Sequence, residues 1–219
     1  WQRPGRMKLR PAYALTRRAF VRSLCACFAA AFGGAWAQWR PLVGAHDAVM
    51  PLRNDEFPGA SADAPLSIAT AAKASGLDPA AAGELALLVG FALAVWGCVS
   101  PRLPGMDLMI LLPVLYGQAV TLAGSGGAPF FFFQWDILLL EVGVVGALWG
   151  ATPTDEDDVL EPPSSARWAL RFCAFKLMYM SGVVKITAGD KTWLSLSALK
   201  YHFASQPLPT PLATRDCNF

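Results

Sequence analysis

Hydrophobic runs alternate with polar, proline-rich stretches along the whole of this 219-residue chain. A helix needs about 20 mainly apolar residues to cross the hydrocarbon core of a bilayer. Runs near that length are predicted to be membrane spans, at residues 19–38, 84–99, 106–123, 130–150 and 167–187. The pattern therefore predicts an all-α fold, a polytopic transmembrane helical bundle with about five spans.

The long polar segment at residues 40–83 holds five prolines and scattered acids, and it is predicted to be a connecting loop. Within it, the Ala-rich stretch Ile68–Ser75 is predicted to form a short helix. Asp78-Pro79 predicts where the next helix starts, because Asp is a favoured N-cap and Pro suits the first helical position.

Pro113 lies inside the third predicted span, where it removes one helical hydrogen bond and should kink the helix. The carbonyl that loses its donor needs another one inside a membrane. Tyr116 or Gln118, close by on the same helix, is predicted to help satisfy it.

The basic N-terminus allows two interpretations. Residues 1–18 carry six Arg or Lys and no acid. Arg17-Arg18, the apolar run and Ala35-Trp36-Ala37 fit a cleavable signal peptide as well as a retained first span. The first residue is Trp1 rather than Met, so we expect the numbering to begin inside a longer or processed product.

The positive-inside rule assigns sides to the loops. It places the basic segment 1–18 in the cytosol. With five alternating spans, the 40–83 loop and the tail after residue 187 lie on the other side of the membrane, and the acidic 151–166 loop is cytosolic.

Composition supports a membrane protein and excludes other classes. Hydrophobic residues make up 54% of the chain, charged residues only 16%, and the mean hydropathy is +0.39. A net charge of +2, with the basic residues gathered at one end, argues against a nucleic-acid partner. Four of the five cysteines lie in hydrophobic runs without metal-ligand spacing, and the acidic run Asp155–Asp158 lacks the spacing of a calcium loop. No metal or cofactor is predicted.

The fourth and fifth spans contain polar side chains that are costly in hydrocarbon, at about 2.5–3.5 kcal/mol for each ionised residue near the centre. We predict that they form an intramembrane polar network of Gln134, Asp136, Glu141, Lys176 and Lys185. At ~1.5 Å per residue, Glu141 and Lys176 lie at similar depths and are predicted to pair. Asp136 and Lys185 lie nearer the surface, where Lys185 is close enough to snorkel.

Two blocks of the sequence resemble the lipase maturation factor family. Phe133-Gln134-Trp135-Asp136 and the residues through Gly143 are similar to the family motif FQWD-x-LLLE-x-G. The tail resembles the family's lumenal motif at Gly189, Asp190, Trp193, Tyr201, His202, Gln206, Pro207, Pro209 and Pro211. Ala204-Ser205 departs from the acidic residue that the family has before Gln206. Family members keep their first helix, so the resemblance weighs against a cleaved signal peptide.

The resemblance implies a multi-pass endoplasmic-reticulum protein whose N-terminus is cytosolic and whose tail is lumenal. It also implies a chaperone-like role, assisting secreted lipases to fold and assemble, with lipase clients and membrane lipid as partners. Residues 188–219 are expected to be the start of a truncated lumenal region. In it we predict a short interfacial helix near Lys191–Tyr201, followed by an extended segment.

An intramembrane enzyme is the alternative function, because the family's helices are distantly similar to those of membrane carboxylases. Glu141 and Lys176 would then be the acid and base. Against this, the two histidines, His46 and His202, fall in separate loops, and no nucleophile has a recognisable setting. The sequence therefore predicts no catalytic residue, and a maturation factor rather than an enzyme.

Overall fold

The structure is a computed structural model that describes residues 13–43, 68–125, 133–150 and 162–205. These ranges form helices throughout, which confirms the all-α class. In chain order they are α1 (Ala14–Val43), α2 (Ile68–Ser75), α3 (Pro79–Val99), α4 (Met106–Ser125), α5 (Gln134–Ala147), α6 (Ser164–Thr187), α7 (Lys191–Leu194) and α8 (Ala198–Ser205). The chain divides into two compact units, one ending at Leu170 and one beginning at Arg171. Each is described by itself.

The helix α1 forms the centre of the first unit. It begins at Ala14 and so includes Arg17 and Arg18, which the hydropathy pattern had placed in the flanking segment. Its fully buried side chains include Phe28, Phe32 and Trp39. These pack in one apolar core with residues of α3, α4 and α5. The first predicted span is therefore an integral part of the folded unit.

Local signals in the polar segment before α3 are confirmed. The short helix α2 has the predicted bounds. Asp78 is the N-cap of α3, where its Oδ2 accepts a hydrogen bond of 3.2 Å from the backbone N–H of Ala81, and Pro79 opens the helix. These elements follow from residues adjacent in sequence, which is why the pattern found them.

Neighbouring helices of the first unit run in alternating directions. At the end where α1 begins, which we call the arginine end (Arg17 and Arg22), the Arg22 guanidinium donates to the last carbonyl of the α3 cap, at Ser100. At the opposite end, Trp39 donates to the carbonyl of Ala80 at the start of α3. Thus α1 and α3 are antiparallel. The helix α4 is parallel to α1, because Met109 near its start contacts Cys25 towards the arginine end, whereas Tyr116 further along lines a cavity beside the last turns of α1. The helix α5 is antiparallel to α1, because Asp136 in its first turn lines the same cavity.

Two helices are long and apolar enough to cross a membrane, judged over the described residues alone. They are Leu15–Val43 and Pro79–Val99. The apolar part of α4, Met106–Thr121, is shorter. The helix α5 has 14 residues, or about 21 Å. The count of five spans stays a prediction.

The second unit contains the rest of α6 and the two short helices α7 and α8. The single helix predicted over Lys191–Tyr201 is wrong, since the chain leaves helical geometry after Leu194 and re-enters it at Ala198. Leu196 has a φ of 58°, in the left-handed region. The flanking hydroxyls of Ser195 and Ser197 hydrogen-bond to each other at 2.8 Å. Serine side chains of this kind compete with the helical backbone for partners.

Candidate functional site

Asp136 is a buried carboxylate in the first turn of α5, with only 8% of its surface exposed. Its Oδ1 accepts a 2.7 Å hydrogen bond from the Tyr116 hydroxyl of α4, and its Oδ2 accepts one of 3.3 Å from the Phe133 backbone N–H. The positive end of a helix dipole also favours an anion at this position. Asp136 therefore joins α5 to α4 and closes the start of its own helix.

The partner that Tyr116 finds differs from the predicted one. Its hydroxyl donates to Asp136 and not to a carbonyl freed by Pro113. Gln118, the other residue predicted to help there, accepts a 3.2 Å hydrogen bond from the backbone N–H of Ile68 through its Oε1. That bond joins the start of α2 to α4.

A cavity of about 390 Å³ lies beside Asp136, between α1 and the start of α5. On the α1 side its walls are mostly small residues, and on the α5 side they are aromatic. The rings of Phe133 and Trp135 stack there with centroids 4.5 Å apart. The lining residues that matter most are Ala31, Gly34, Gln38, Phe133, Trp135 and Asp136. A second cavity, about 500 Å³ between α4 and α5, is almost entirely apolar and offers no reactive group.

At the arginine end, two arginines of α1 close the C-terminal ends of other helices. The Nε of the buried Arg17 donates to the carbonyl of Trp149 at 2.8 Å, and its Nη2 donates to that of Gly150. Arg22 donates to Ser100 at 3.0 Å. Cations are favoured where a helix leaves carbonyls unpaired. From the sequence, Arg17 was interpreted as a topology signal and as part of a possible signal peptide, and no local pattern could have linked it to Trp149, 132 positions away.

The described residues contain no group of three or more His, Cys, Asp or Glu that could hold a metal ion. Their cysteines, Cys25, Cys27, Cys98 and Cys173, are free thiols. Asp136, Tyr116 and the neighbouring cavity are thus the most distinctive chemistry in the first unit.

Comparison with known proteins identifies the family. The family model described as the lipase maturation factor transmembrane domain matches residues 15–215. The chain belongs to the lipase maturation factor family. It is 31% identical to human lipase maturation factor 2 over 91% of this chain and 30% of that protein. The chicken lipase maturation factor 2 is 32% identical over 90% of this chain and 28% of its own length. Mouse lipase maturation factor 1 is 30% identical over 59% of this chain and 22% of that protein.

The chain thus spans less than a third of these relatives, and the family match covers the membrane-associated part of a lipase maturation factor. No solved structure matches the chain. The resemblance inferred from the two motif blocks is confirmed.

The members of the predicted polar network fall in both units of the chain. On α5, Gln134 is exposed and Glu141 is half-buried, while Asp136 turns inward to Tyr116. Lys176 and Lys185 lie on α6 in the second unit. The Glu141–Lys176 pair therefore stays a prediction. Tyr116 is the member that sequence reasoning missed.

In the second unit, the start of the C-terminal lipase maturation factor motif, at Gly189 and Asp190, forms a turn between α6 and α7. Gly189 has a φ of 65°, which suits glycine and ends α6. Asp190 is the N-cap of α7, and its Oδ1 accepts hydrogen bonds from the Thr192 N–H at 2.9 Å and the Thr192 hydroxyl at 2.8 Å. These two bonds hold the pKa of Asp190 below its ordinary value.

The ring of Trp193, in the same motif, makes a cation–π contact. The Nζ of Lys185 lies 4.5 Å from the centroid of its ring, within cation–π range. Tyr201 and His202 lie on α8 with exposed side chains. The remaining motif residues, Gln206, Pro207, Pro209 and Pro211, fall outside the described residues, as does the extended segment predicted there.

Proposed function

We propose that this chain is the membrane part of an endoplasmic-reticulum factor that assists secreted lipases to fold and assemble, without catalysing a reaction itself. The observation that carries the proposal is the family match over residues 15–215. The relatives are named as maturation factors for lipases, and the chain covers at least 90% of its own length against two of them. Secreted lipases are the proposed clients.

The proposed topology has five spans, a cytosolic N-terminus and a lumenal tail. Alternating directions of α1, α3, α4 and α5 support it, as does the start of α6 at the arginine end, where the Trp149 indole N–H donates to the Ala166 carbonyl. The aromatic residues beside Asp136 then lie at the lumenal surface, as aromatic belts do.

Cysteine-accessibility mapping tests the topology. Single cysteines introduced near Ser61 and Ser205 should be labelled only from the lumen, and a cysteine near Asp157 only from the cytosol. Labelling of Ser61 and Asp157 positions from one side would overturn the arrangement.

The client proposal is tested in cells that lack their own lipase maturation factors. The full-length protein that contains this chain should raise the activity of a secreted lipase per amount of lipase protein in the medium. It should also co-purify with the lipase and not with an unrelated secretory protein. Equal effects on both proteins would contradict a role specific to lipases, whereas turnover of a small lipid by the purified protein would favour the enzyme.

A further inference from the structure

The burial of Asp136 is incompletely compensated within the described part of the chain. Its hydrogen-bond donors there are the Tyr116 hydroxyl and the Phe133 N–H, both neutral. No described cationic side chain is paired with it. A helix dipole and two neutral donors offset only part of the cost of burying an ionised carboxylate, which proteins normally meet with a cation.

The cavity beside Asp136 lies at the level of lipid headgroups, if α1 and α5 cross the membrane as in the proposed function. Asp136 is three residues beyond Phe133, which is about 4.5 Å along the helix. Gln38, on the opposite wall, is near the last turn of α1. Trp135 is 66% exposed, and aromatic side chains of this kind favour the headgroup region.

The chemistry of the cavity favours a primary ammonium group. A carboxylate has about four acceptor sites, and the two protein donors leave others for a ligand. The stacked rings of Phe133 and Trp135 offer a π face to a cation. Small side chains on α1, including Ala31 and Gly34, leave the cavity at about 390 Å³, within the range of small-molecule sites.

We propose that this cavity binds the ammonium headgroup of an aminophospholipid of the phosphatidylethanolamine type. The ammonium donates hydrogen bonds to Asp136, and the acyl chains remain in the bilayer. Phosphatidylserine fits less well, because its headgroup carboxylate would approach that of Asp136. A quaternary choline headgroup has no N–H to donate.

Native mass spectrometry of the purified full chain tests the site. The protein is mixed with equal amounts of dioleoyl phosphatidylethanolamine and dioleoyl phosphatidylcholine, and the bound lipids are counted. A charge-assisted hydrogen bond predicts a preference of about 10-fold for the ethanolamine lipid. The preference should fall stepwise through the N-methyl and N,N-dimethyl lipids as donors are removed.

Two variants locate the binding. Asp136→Asn keeps an acceptor for Tyr116 but loses the charge, and it should abolish the preference. Asp107→Asn removes an exposed carboxylate near the arginine end and should leave it unchanged.

Gly34→Leu adds a bulky side chain to the α1 wall of the cavity and leaves the Asp136 carboxylate in the sequence; nothing lies within 4 Å of a Cβ placed at Gly34. It should also remove the preference. Gly182 on α6 has equally open surroundings, so that Gly182→Leu is the matched control and should behave like the parent chain.

Equal binding of the two lipids by the parent chain would overturn the proposal, and so would a preference that survives both Asp136→Asn and Gly34→Leu. The proposal would also be overturned if the choline lipid bound as tightly as the ethanolamine lipid and its binding were lost in Asp136→Asn. Charge attraction without hydrogen bonding would then explain the binding. Failure of the proposed topology would appear separately, in the cysteine-accessibility map.

Discussion

The contact of α1 with α3 depends on a glycine, and adding one methyl group there should be destabilising. A Cβ at Gly90 would lie 2.2 Å from Cε1 and 2.3 Å from Cζ of Phe32. Phe32 is fully buried, and its ring already packs edge-on against Tyr116 with centroids 5.3 Å apart. The ring therefore has a neighbour on the side away from Gly90, and relieving the clash requires the ring or the helices to shift.

The magnitude follows from two opposing effects. Overpacking a tight core costs about 1–3 kcal/mol. Replacing Gly by Ala inside a helix contributes about 1 kcal/mol of stability. A contact of 2.2 Å falls in the upper part of that overpacking range, at about 2–3 kcal/mol, so we expect Gly90→Ala to lower the free energy of unfolding by roughly 1–2 kcal/mol. In a Phe32→Leu background, which removes the clashing ring atoms, the same change should become neutral or stabilising by up to about 1 kcal/mol.

The free energy of unfolding can be measured by titrating the purified chain in mixed micelles with a denaturing detergent and following helix content. Gly34→Ala is the matched control, because its new Cβ meets nothing within 4 Å, and it should be stabilising or neutral. If Gly90→Ala is as stable as the parent chain, or costs the same with Leu at position 32, the packing argument is refuted.

Three further predictions concern charged groups. Arg17→Lys keeps the charge but replaces the planar guanidinium, whose two nitrogens donate to successive carbonyls, by a single-nitrogen ammonium, and it should cost about 1.5–3 kcal/mol of unfolding free energy in the same titration. An unchanged midpoint would contradict the capping role. Glu141→Gln or Lys176→Met alone should cost ~3–5 kcal/mol if these residues pair, and the double replacement by apolar residues should recover much of the loss, whereas additive losses would exclude the pair. Because the pKa of Asp190 is lowered on folding from its ordinary 3.8, its cap on α7 should be complete at neutral pH and lost as the pH falls through that lowered pKa. The protection of the Thr192 amide against hydrogen exchange, taken relative to the unfolded exchange rate at each pH, measures this loss. In Asp190→Asn that protection should not change over the same pH range.

Sequence alone determined those features that depend on neighbouring residues or on accumulated pattern. Apolar runs predicted the all-α class, and the bounds of α2 and the start of α3 at Asp78-Pro79 were correct because capping acts within one helical turn. The FQWD block and the motif that begins at Gly189 were specific enough to identify the family.

The tertiary structure decided which distant groups meet. Asp136 lies 20 residues from Tyr116, and Arg17 lies 132 residues from Trp149. Each contact depends on how two helices are rotated and shifted along their axes, and hydropathy does not encode that register. For the same reason the pattern assigned Tyr116 to a carbonyl near Pro113. The role of Gly90 could not be predicted from the sequence either, because it depends on the ring of Phe32, which occupies the space where a side chain at position 90 would lie.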